Sequence, residues 1–409
     1  MDIRIEPRRL SGAVTSPPSK SMAHRLIISA ALGSGVSTVR NVAFSQDIEA
    51  TLRCMEALGA KWERLTEDSV QVTGIGQIAT DTFSELPRFD CGESGSTLRF
   101  LIPIAVAVAG GGIFTGRGRL MERPQKPYFD LFDEKGISWH QENGVLTIQG
   151  RLTAGDYRLP GNVSSQFFTG LLFSLALLDG PSTIVSTTAL ESSDYIKMTM
   201  DAMKQAGVPV TVSEDGLSFG VSASAYSSFD GTVEADWSQA GFWYAALALG
   251  SELNLQGLNA FSSQGDMVVV SHYLHLTQPG DLEIDISDCP DLLPPLAVMA
   301  AVRQGTTHFV NAARLRIKES DRLATVAALL KAVGCEAEEL PDALIVYGGR
   351  PLTGGTVDGA NDHRIVMAAA IAATACQTPV TILGAEAVRK SYPNFWEEYQ
   401  RLGGEFHVL

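Results

Sequence analysis

Two kinds of helical pattern alternate along this chain. The first is apolar almost all round: HRLIISAALG, RFLIPIAVAVAG, FFTGLLFSLALLDG, FWYAALALG, LLPPLAVMAAVRQG and RIVMAAAIAATA. Helices with so little polar face have to be buried on nearly every side. The second kind is amphipathic and ends in glycine, at Gly59, Gly136, Gly207, Gly334 and Gly403. The left-handed position past a helix end favours a residue without Cβ. Strand patterns follow both kinds. STVRNV, GGIFTG, STIVST, THFVNA and PVTILG come after apolar helices, and paired strand patterns run from the amphipathic helices to Gly74, Gly150, Gly220 and Gly349. The recurring phrase is β-α-β-α-β-β, at a period of about 70 residues with one gap of roughly 130 between Gly207 and Gly334. That gap predicts a degraded copy over residues 264–286, giving about six units in all. The apolar helices should cluster inside, with the sheets outside them, three units to a domain. The opening MDIRIEPRRL alternates as a strand does.

The 409 residues exceed what one core usually organises, which points to two domains. With 46 acidic and 31 basic residues the net charge is −15. That argues against nucleic acid as a partner, but not against small anions, which local clusters decide. Cys54, Cys91, Cys289, Cys335 and Cys376 are scattered with no CxxC pair, as in a reduced cytosolic protein. FLIPIAVAVAGGGIF, the most apolar run, holds one Pro and three Gly and is short for a membrane span. The N-terminus has no apolar signal-peptide core. The expectation is a soluble, cytoplasmic protein with no membrane partner.

Cations gather where helices should start. RIKESDRLATV places Lys318 and Arg322, with Glu319 and Asp321, at the mouth of a helix whose N-terminal dipole repels positive charge. SPPSKSMAHRL does the same with Lys20 and Arg25; GESGSTLRF brings Ser94, Gly95, Ser96, Thr97 and Arg99. GRGRLMERPQ carries Arg119 and Arg123, NVSSQFF Ser164, Ser165 and Gln166, NDHRIVM Asp362, His363 and Arg364, and VRKSYPNF Lys390 and Ser391. Helix N–H groups, hydroxyls and nearby cations together make anion sites. Plainer readings stand beside this one. Ser164 and Ser320 also suit N-caps; Lys20 or Arg25 alone suits a solvated surface, and His24 and His363 suit packing. His272 and His275 have helical spacing without a carboxylate motif, which is poor ground for a metal. GIGQIA, from Gly74, is followed by polar TDTFSEL rather than a helix, so it is no dinucleotide fingerprint, and no GxxxxGK[ST] loop is present. What the plainer readings leave unexplained is the recurrence of cations at so many equivalent starts.

Two carboxylates add chemistry. Asp291 lies in DCPDLLPPL before an apolar helix, and Glu319 sits between Lys318 and Arg322. Acids placed among cations suit proton transfer, since a neighbouring charge moves a carboxyl's affinity for protons. A helix cap for Asp291 and a local ion pair for Glu319 are the alternatives.

SPPSKSMAHR, RPQKPY, VSSQF, IKESDR, NDHR and KSYPNF, in this order along essentially the whole chain, resemble the EPSP synthase family of enolpyruvyl transferases. The resemblance implies an α/β fold of two domains, an inside-out α/β barrel in which each domain is three βαβαββ repeats around buried helices. It implies a discontinuous domain of residues 1–18 plus 235–409, an inserted domain of 19–234, and a double hinge near 17–19 and 234–236 that closes over substrate. The implied reaction joins phosphoenolpyruvate to the 5-hydroxyl of shikimate 3-phosphate through a tetrahedral intermediate that loses phosphate. Both substrates carry a phosphate and a carboxylate, so substrate anions would hold Lys318 and Arg322 at their helix. By similarity, Lys20, Ser21, Arg25, Ser164, Ser165, Gln166, Ser192, Tyr195, Asp291 and Lys318 bind shikimate 3-phosphate. Lys20, Gly95, Arg123, Gln166, Arg322, Arg364 and Lys390 bind phosphoenolpyruvate. Asp291 is the implied base for the 5-hydroxyl, and Glu319, helped by Lys20, the implied acid for the methylene carbon. No metal or organic cofactor is implied, and the family habit is a monomer.

The chain departs from the family pattern at Glu93 and at Arg314, where Asn is usual. A carboxylate at 93 would repel phosphoenolpyruvate unless it points away or pairs with a cation. The sister enzyme that uses UDP-N-acetylglucosamine has a Lys-Asn pair near its start and usually a Cys in its mobile loop. Here the pair is Lys20-Ser21, and GRGRLMERPQ has no Cys. A two-domain binder of phosphorylated metabolites without catalysis is the other rival, and Asp291 and Glu319 discriminate against it.

Overall fold

All five glycines at the ends of the amphipathic helices have positive φ, from +69° at Gly136 to +99° at Gly59. Four turn the chain from a helix into a strand pair and Gly403 turns it into the single strand Glu405–Val408, and these turns set the rhythm of the molecule. The computed structural model describes residues 1–76 and 83–409; of the Gly74–Ala79 stretch noted above, residues 77–79 lie outside the described residues. The chain divides into two units, Lys20–Val233 and Met1–Ser19 with Glu234–Leu409. It passes between them at residues 19–20 and 233–234. Ser19 N donates to Glu234 O (2.8 Å) and Asp236 N to Pro17 O (2.8 Å), so both flanking segments belong to the discontinuous unit, and the inserted one begins a residue later and ends a residue earlier than 19–234.

The inserted unit holds helices α1 (Lys20–Leu32), α2 (Gln46–Ala57), α3 (Gly95–Ala109), α4 (Lys126–Lys135), α5 (Ser165–Leu175) and α6 (Ser193–Gln205). Three four-stranded sheets share one plan. Arg88–Asp90 runs parallel to Gly111–Thr115, which pairs antiparallel with Val145–Gln149, and Ser138–Glu142 closes the edge. The second sheet, from Asp156–Leu159 to Val210–Val212, repeats this order. In the remaining sheet the first strand comes from the far end of the unit: Asp230–Thr232 lies parallel to Val36–Arg40, with Gly231 opposite Val39.

The apolar helices are the core. In α5 every residue except Gln166 is buried, in α3 all but Ser96 and Ala107, and in α1 all but Lys20 and Ser21. The edge strand Lys61–Thr66 is by contrast largely exposed, so helices lie inside and sheets outside. Gly170 lets α5 approach α3: a Cβ there would come within 2.5 Å of the Arg99 carbonyl oxygen. The consequence for function is positional. A helix buried along its length has only its first turn near solvent, and that turn carries Lys20, Ser21, Ser96 and Gln166.

The discontinuous unit holds α7 (Trp237–Ala248), α8 (Val269–Leu276), α9 (Leu293–Val302), α10 (Arg322–Ala332), α11 (His363–Ala373) and α12 (Phe395–Arg401). Leu282–Asp285, Gly305–Val310, Leu344–Gly348 and Glu336–Glu339 form one sheet of the same plan. In the next, Ile3–Glu6 fills the third place, between Val380–Leu383 and Glu405–Val408. The degraded copy keeps only a parallel pair, Ser11–Thr15 with Glu252–Gln256. Its strand pair is gone, and a short link carries the chain from α8 to Leu282. No helix is long and apolar enough to cross a membrane, among the described residues.

Candidate active site

In the inserted unit the first turns of α1, α3 and α5 and the preceding residue of α6 carry the candidates. Lys20 Nζ is 2.7 Å from Asp47 Oδ2 in the first turn of α2. One turn on, buried Arg25 donates to Ser21 O (2.7 Å), to Thr199 Oγ1 (2.9 Å) and to Tyr195 O (3.0 Å), and so ties α1 to α6. Burial pulls the Arg25 guanidinium down to about 10, against the pull of Tyr195, so it stays charged at neutral pH. Ser192, buried before α6, takes φ +58°, and its side chain makes no cap bond. Ser21, Arg25, Ser192 and Tyr195 thus gather at the starts of α1 and α6.

The starts of α3 and α5 meet through side chains. Ser94 caps α3 through Thr97 N (3.1 Å), and Ser164 caps α5 through Gln166 N (3.3 Å), so the plain N-cap reading of Ser164 holds. Gln166 accepts from Arg99 Nη1 (2.8 Å) and donates to Ser96 Oγ (3.0 Å). Arg123 packs on Gly95 so closely that a Cβ there would lie 2.5 Å from its Nη1. Arg119 stays exposed and sits 3.9 Å from Glu122. His24 bonds Thr51 Oγ1 (2.8 Å), which bonds Thr97 Oγ1 (2.7 Å), which donates to Ser94 (2.7 Å). Burial, aided by Lys20 and Arg25, pushes the His24 imidazole well below its usual range, so this chain is neutral and fixes α3 from below. Glu93 is half-buried just before that cap.

In the discontinuous unit the charges form one network. Asp321, not Ser320, is the N-cap of α10, accepting from Ala324 N (3.2 Å). Ser320 Oγ instead donates to Asp362 Oδ2 (2.9 Å). Arg322, 1% exposed, donates from Nε to Asp362 (2.8 Å), from Nη1 to Asp291 (2.7 Å) and from Nη2 to Glu319 (2.6 Å). Arg364 Nη2 is 3.1 Å and Lys318 Nζ 3.3 Å from Asp291. A cation at a helix start costs about 0.3–1 kcal/mol, whereas stripping a buried charge of its partner costs about 3–5 kcal/mol. Carboxylates therefore hold Lys318 and Arg322, Asp291 and Asp362 from other segments and Glu319 from the turn before α10, so the local-pair reading of Glu319 holds too. Lys390 stands at the edge of the network, donating to Asn361 O (2.6 Å). Arg314, in a 3-10 turn, donates to Ser287 O.

Burial pushes the Asp291 carboxyl up, but Arg364, Lys318 and Arg322 outweigh it and hold it well below the usual range. Asp362 is held low in the same way, chiefly by Arg322 against its burial. Asp266, also buried, goes the other way: burial and the Asp291 charge raise it from 3.8 to about 7. Sequence reading missed Asp47, Asp266 and the anchoring part of Asp362. For Asp362 a signal existed, an Asp immediately before His363-Arg364 and an otherwise apolar helix. His272 Nε2 lies 3.8 Å from Cys289 Sγ, and among the described residues no group of three His, Cys, Asp or Glu could hold a metal.

Repeated βαβαββ sheets around buried helices, with cations and carboxylates at the helix starts, define an α/β protein built to handle small anions. The chain belongs to the EPSP synthase (3-phosphoshikimate 1-carboxyvinyltransferase) family, whose model matches residues 5–399. It is 44% identical over 425 residues to the 3-phosphoshikimate 1-carboxyvinyltransferase of Clostridium kluyveri, covering 98% of this chain and 97% of that one. The same-named protein of Clostridium beijerinckii is 44% identical over 428 residues, covering 99% and 98%. In fold the chain is similar to the EPSP synthase of Acinetobacter baumannii (TM-score 0.80, 22% identity, 100% of both chains). It is also similar to the enolpyruvyl transferase NikO of Streptomyces tendae (TM-score 0.77, 16% identity, 99% and 98%).

Proposed function

We propose that the chain transfers the enolpyruvyl group of phosphoenolpyruvate to the 5-hydroxyl of shikimate 3-phosphate, releasing phosphate, by addition and elimination. The observation that carries the catalytic part is the mixed network around Arg322: carboxylates of opposite duty, Asp291 and Glu319, set among Lys318, Arg322 and Arg364. Pairing the cations accounts for charge balance, and the partial exposure of Asp291 and Glu319 also leaves them within reach of a substrate proton. In our reading Glu319 delivers a proton to carbon 3 of phosphoenolpyruvate, Asp291 takes the proton of the 5-hydroxyl as its oxygen adds at carbon 2, and loss of phosphate and of a carbon-3 proton completes the transfer. Arg123, Arg322, Arg364 and Lys390, with Gly95, bind phosphoenolpyruvate, the guanidinium forks matching its phosphate and carboxylate. Ser21, Arg25, Ser164, Ser165, Ser192, Tyr195, Asp291 and Lys318 bind shikimate 3-phosphate, and Lys20 and Gln166 serve both. The protein acts in the cytoplasm as a monomer.

The test is phosphate release with phosphoenolpyruvate and each of two acceptors. Release with shikimate 3-phosphate and none with UDP-N-acetylglucosamine is expected. The reverse preference would assign the chain to the sister reaction, and binding of both substrates without release would leave a non-catalytic binder.

A further inference from the structure

All three guanidinium nitrogens of Arg322 donate, yet its edges differ. The Nε edge faces Asp362, which is fully buried and receives Nε at 2.8 Å and Nη2 at 3.3 Å. Asp362 is itself pinned from two more sides, by Ser320 Oγ (2.9 Å) and by Arg364 N (3.0 Å) as the cap of α11. It has no route away from Arg322. The other donors meet Asp291 and Glu319, whose side chains are 20% and 18% exposed. Among the described partners of Arg322 these two are the partly exposed ones, so an anion arriving from solvent meets the arginine at the edges they now hold.

We propose that Asp362 is the positioning residue that fixes Arg322, and that Glu319 and Asp291 keep the place of the phosphoenolpyruvate anion, which binds by displacing them from Nη2 and Nη1. This rests on the reading above that Arg322 binds phosphoenolpyruvate. One edge of the arginine is permanent and the other exchangeable. The exchange has a chemical consequence. A carboxylate clamped by a guanidinium is a poor base and a poor proton carrier, because the cation stabilises its charged form. Displacement from Nη2 releases Glu319 in the step that brings the reacting group, while Asp291 keeps Lys318 and Arg364 as partners.

The proposal makes a counter-intuitive demand: removing a carboxylate assigned to catalysis must tighten anion binding. The test titrates inorganic phosphate, at saturating shikimate 3-phosphate, into wild type, Glu319→Gln and Asp362→Asn. Glu319→Gln is expected to bind phosphate about three- to fivefold tighter than wild type, the scale of one partly exposed ion pair. Asp362→Asn is expected to bind it about tenfold or more weakly, with a smaller loss of affinity for shikimate 3-phosphate, because Arg322 and Arg364, which Asp362 holds, are both assigned to phosphoenolpyruvate. Phosphate binding to Glu319→Gln that is no tighter than to wild type overturns the proposal, whatever Asp362→Asn does. If that happens while wild type releases phosphate from phosphoenolpyruvate, the place-keeping idea alone has failed. If wild type neither binds phosphate nor releases it, the functional reading has failed first.

Discussion

At the scale of single residues, Asp291 and Asp266 show how burial and charge compete. Both carboxyls are sheltered, but three cations reach Asp291 and hold it ionised, while Asp266 feels the Asp291 charge and is driven to about 7. Asp291→Asn keeps the shape and the neighbours but cannot accept a proton. It is expected to retain substrate binding and to slow kcat on the order of a hundredfold or more, measured by phosphate release; an unchanged kcat would remove Asp291 from the mechanism. Asp266 makes a pH prediction. Its folded-state value lies above its ordinary 3.8, so the folded protein holds a proton there that the unfolded chain gives up. Stability from this group is therefore full below about 4, is lost as pH rises toward about 7, and is flat beyond. Asp291 and Asp362, held low, act in the opposite direction, losing stability as pH falls below the ordinary carboxylate range. Asp266→Asn should remove the decline between these limits, so its melting temperature should gain on wild type from pH 5 to pH 8. Parallel melting curves for the two proteins would refute the assignment.

At the scale of elements, the buried helix with a working first turn is the unit of design. α3 and α5 pack so tightly that Gly170→Ala would drive a methyl group against the Arg99 carbonyl and, at 2.4 Å, the Tyr128 hydroxyl. Overpacking of this kind costs about 1–3 kcal/mol, so the variant should melt several degrees lower. Gly95→Ala acts locally instead, pushing the Arg123 guanidinium off the start of α3. Its KM for phosphoenolpyruvate should rise about tenfold with a smaller change for shikimate 3-phosphate, as expected when one charge-assisted contact is lost. These helices were legible in the sequence because an all-apolar run has one physical solution. The 3-10 turns at Leu120–Glu122, Ala313–Ile317 and Ala385–Lys390 were not, since pieces so short carry no period. Nor were the partners of the cations. Lys20 meets Asp47 across 27 residues and Arg322 meets Asp362 across 40, and no local pattern encodes such pairs. The motif order pointed to the cations and to Asp291 and Glu319; only the structure showed Asp47 on Lys20 and Asp362 on Arg322.

At the scale of the molecule, the repeat was legible as a period, and its missing strand pair as a gap. The exchange of end strands was less so. Ile3–Glu6 reads as a strand from its alternation, but its place between Val380–Leu383 and Glu405–Val408 is a matter of closure, not of local sequence. The residues proposed for shikimate 3-phosphate fall in both units, and the chain crosses between the units twice. In the proposed mechanism, carboxylates set among cations move a proton to and from carbon 3. Turnover of phosphoenolpyruvate and shikimate 3-phosphate in deuterated water measures this directly. Deuterium in the vinyl group of the product, and no turnover in Glu319→Gln, is the predicted result; phosphate released with the vinyl protons all retained would contradict it.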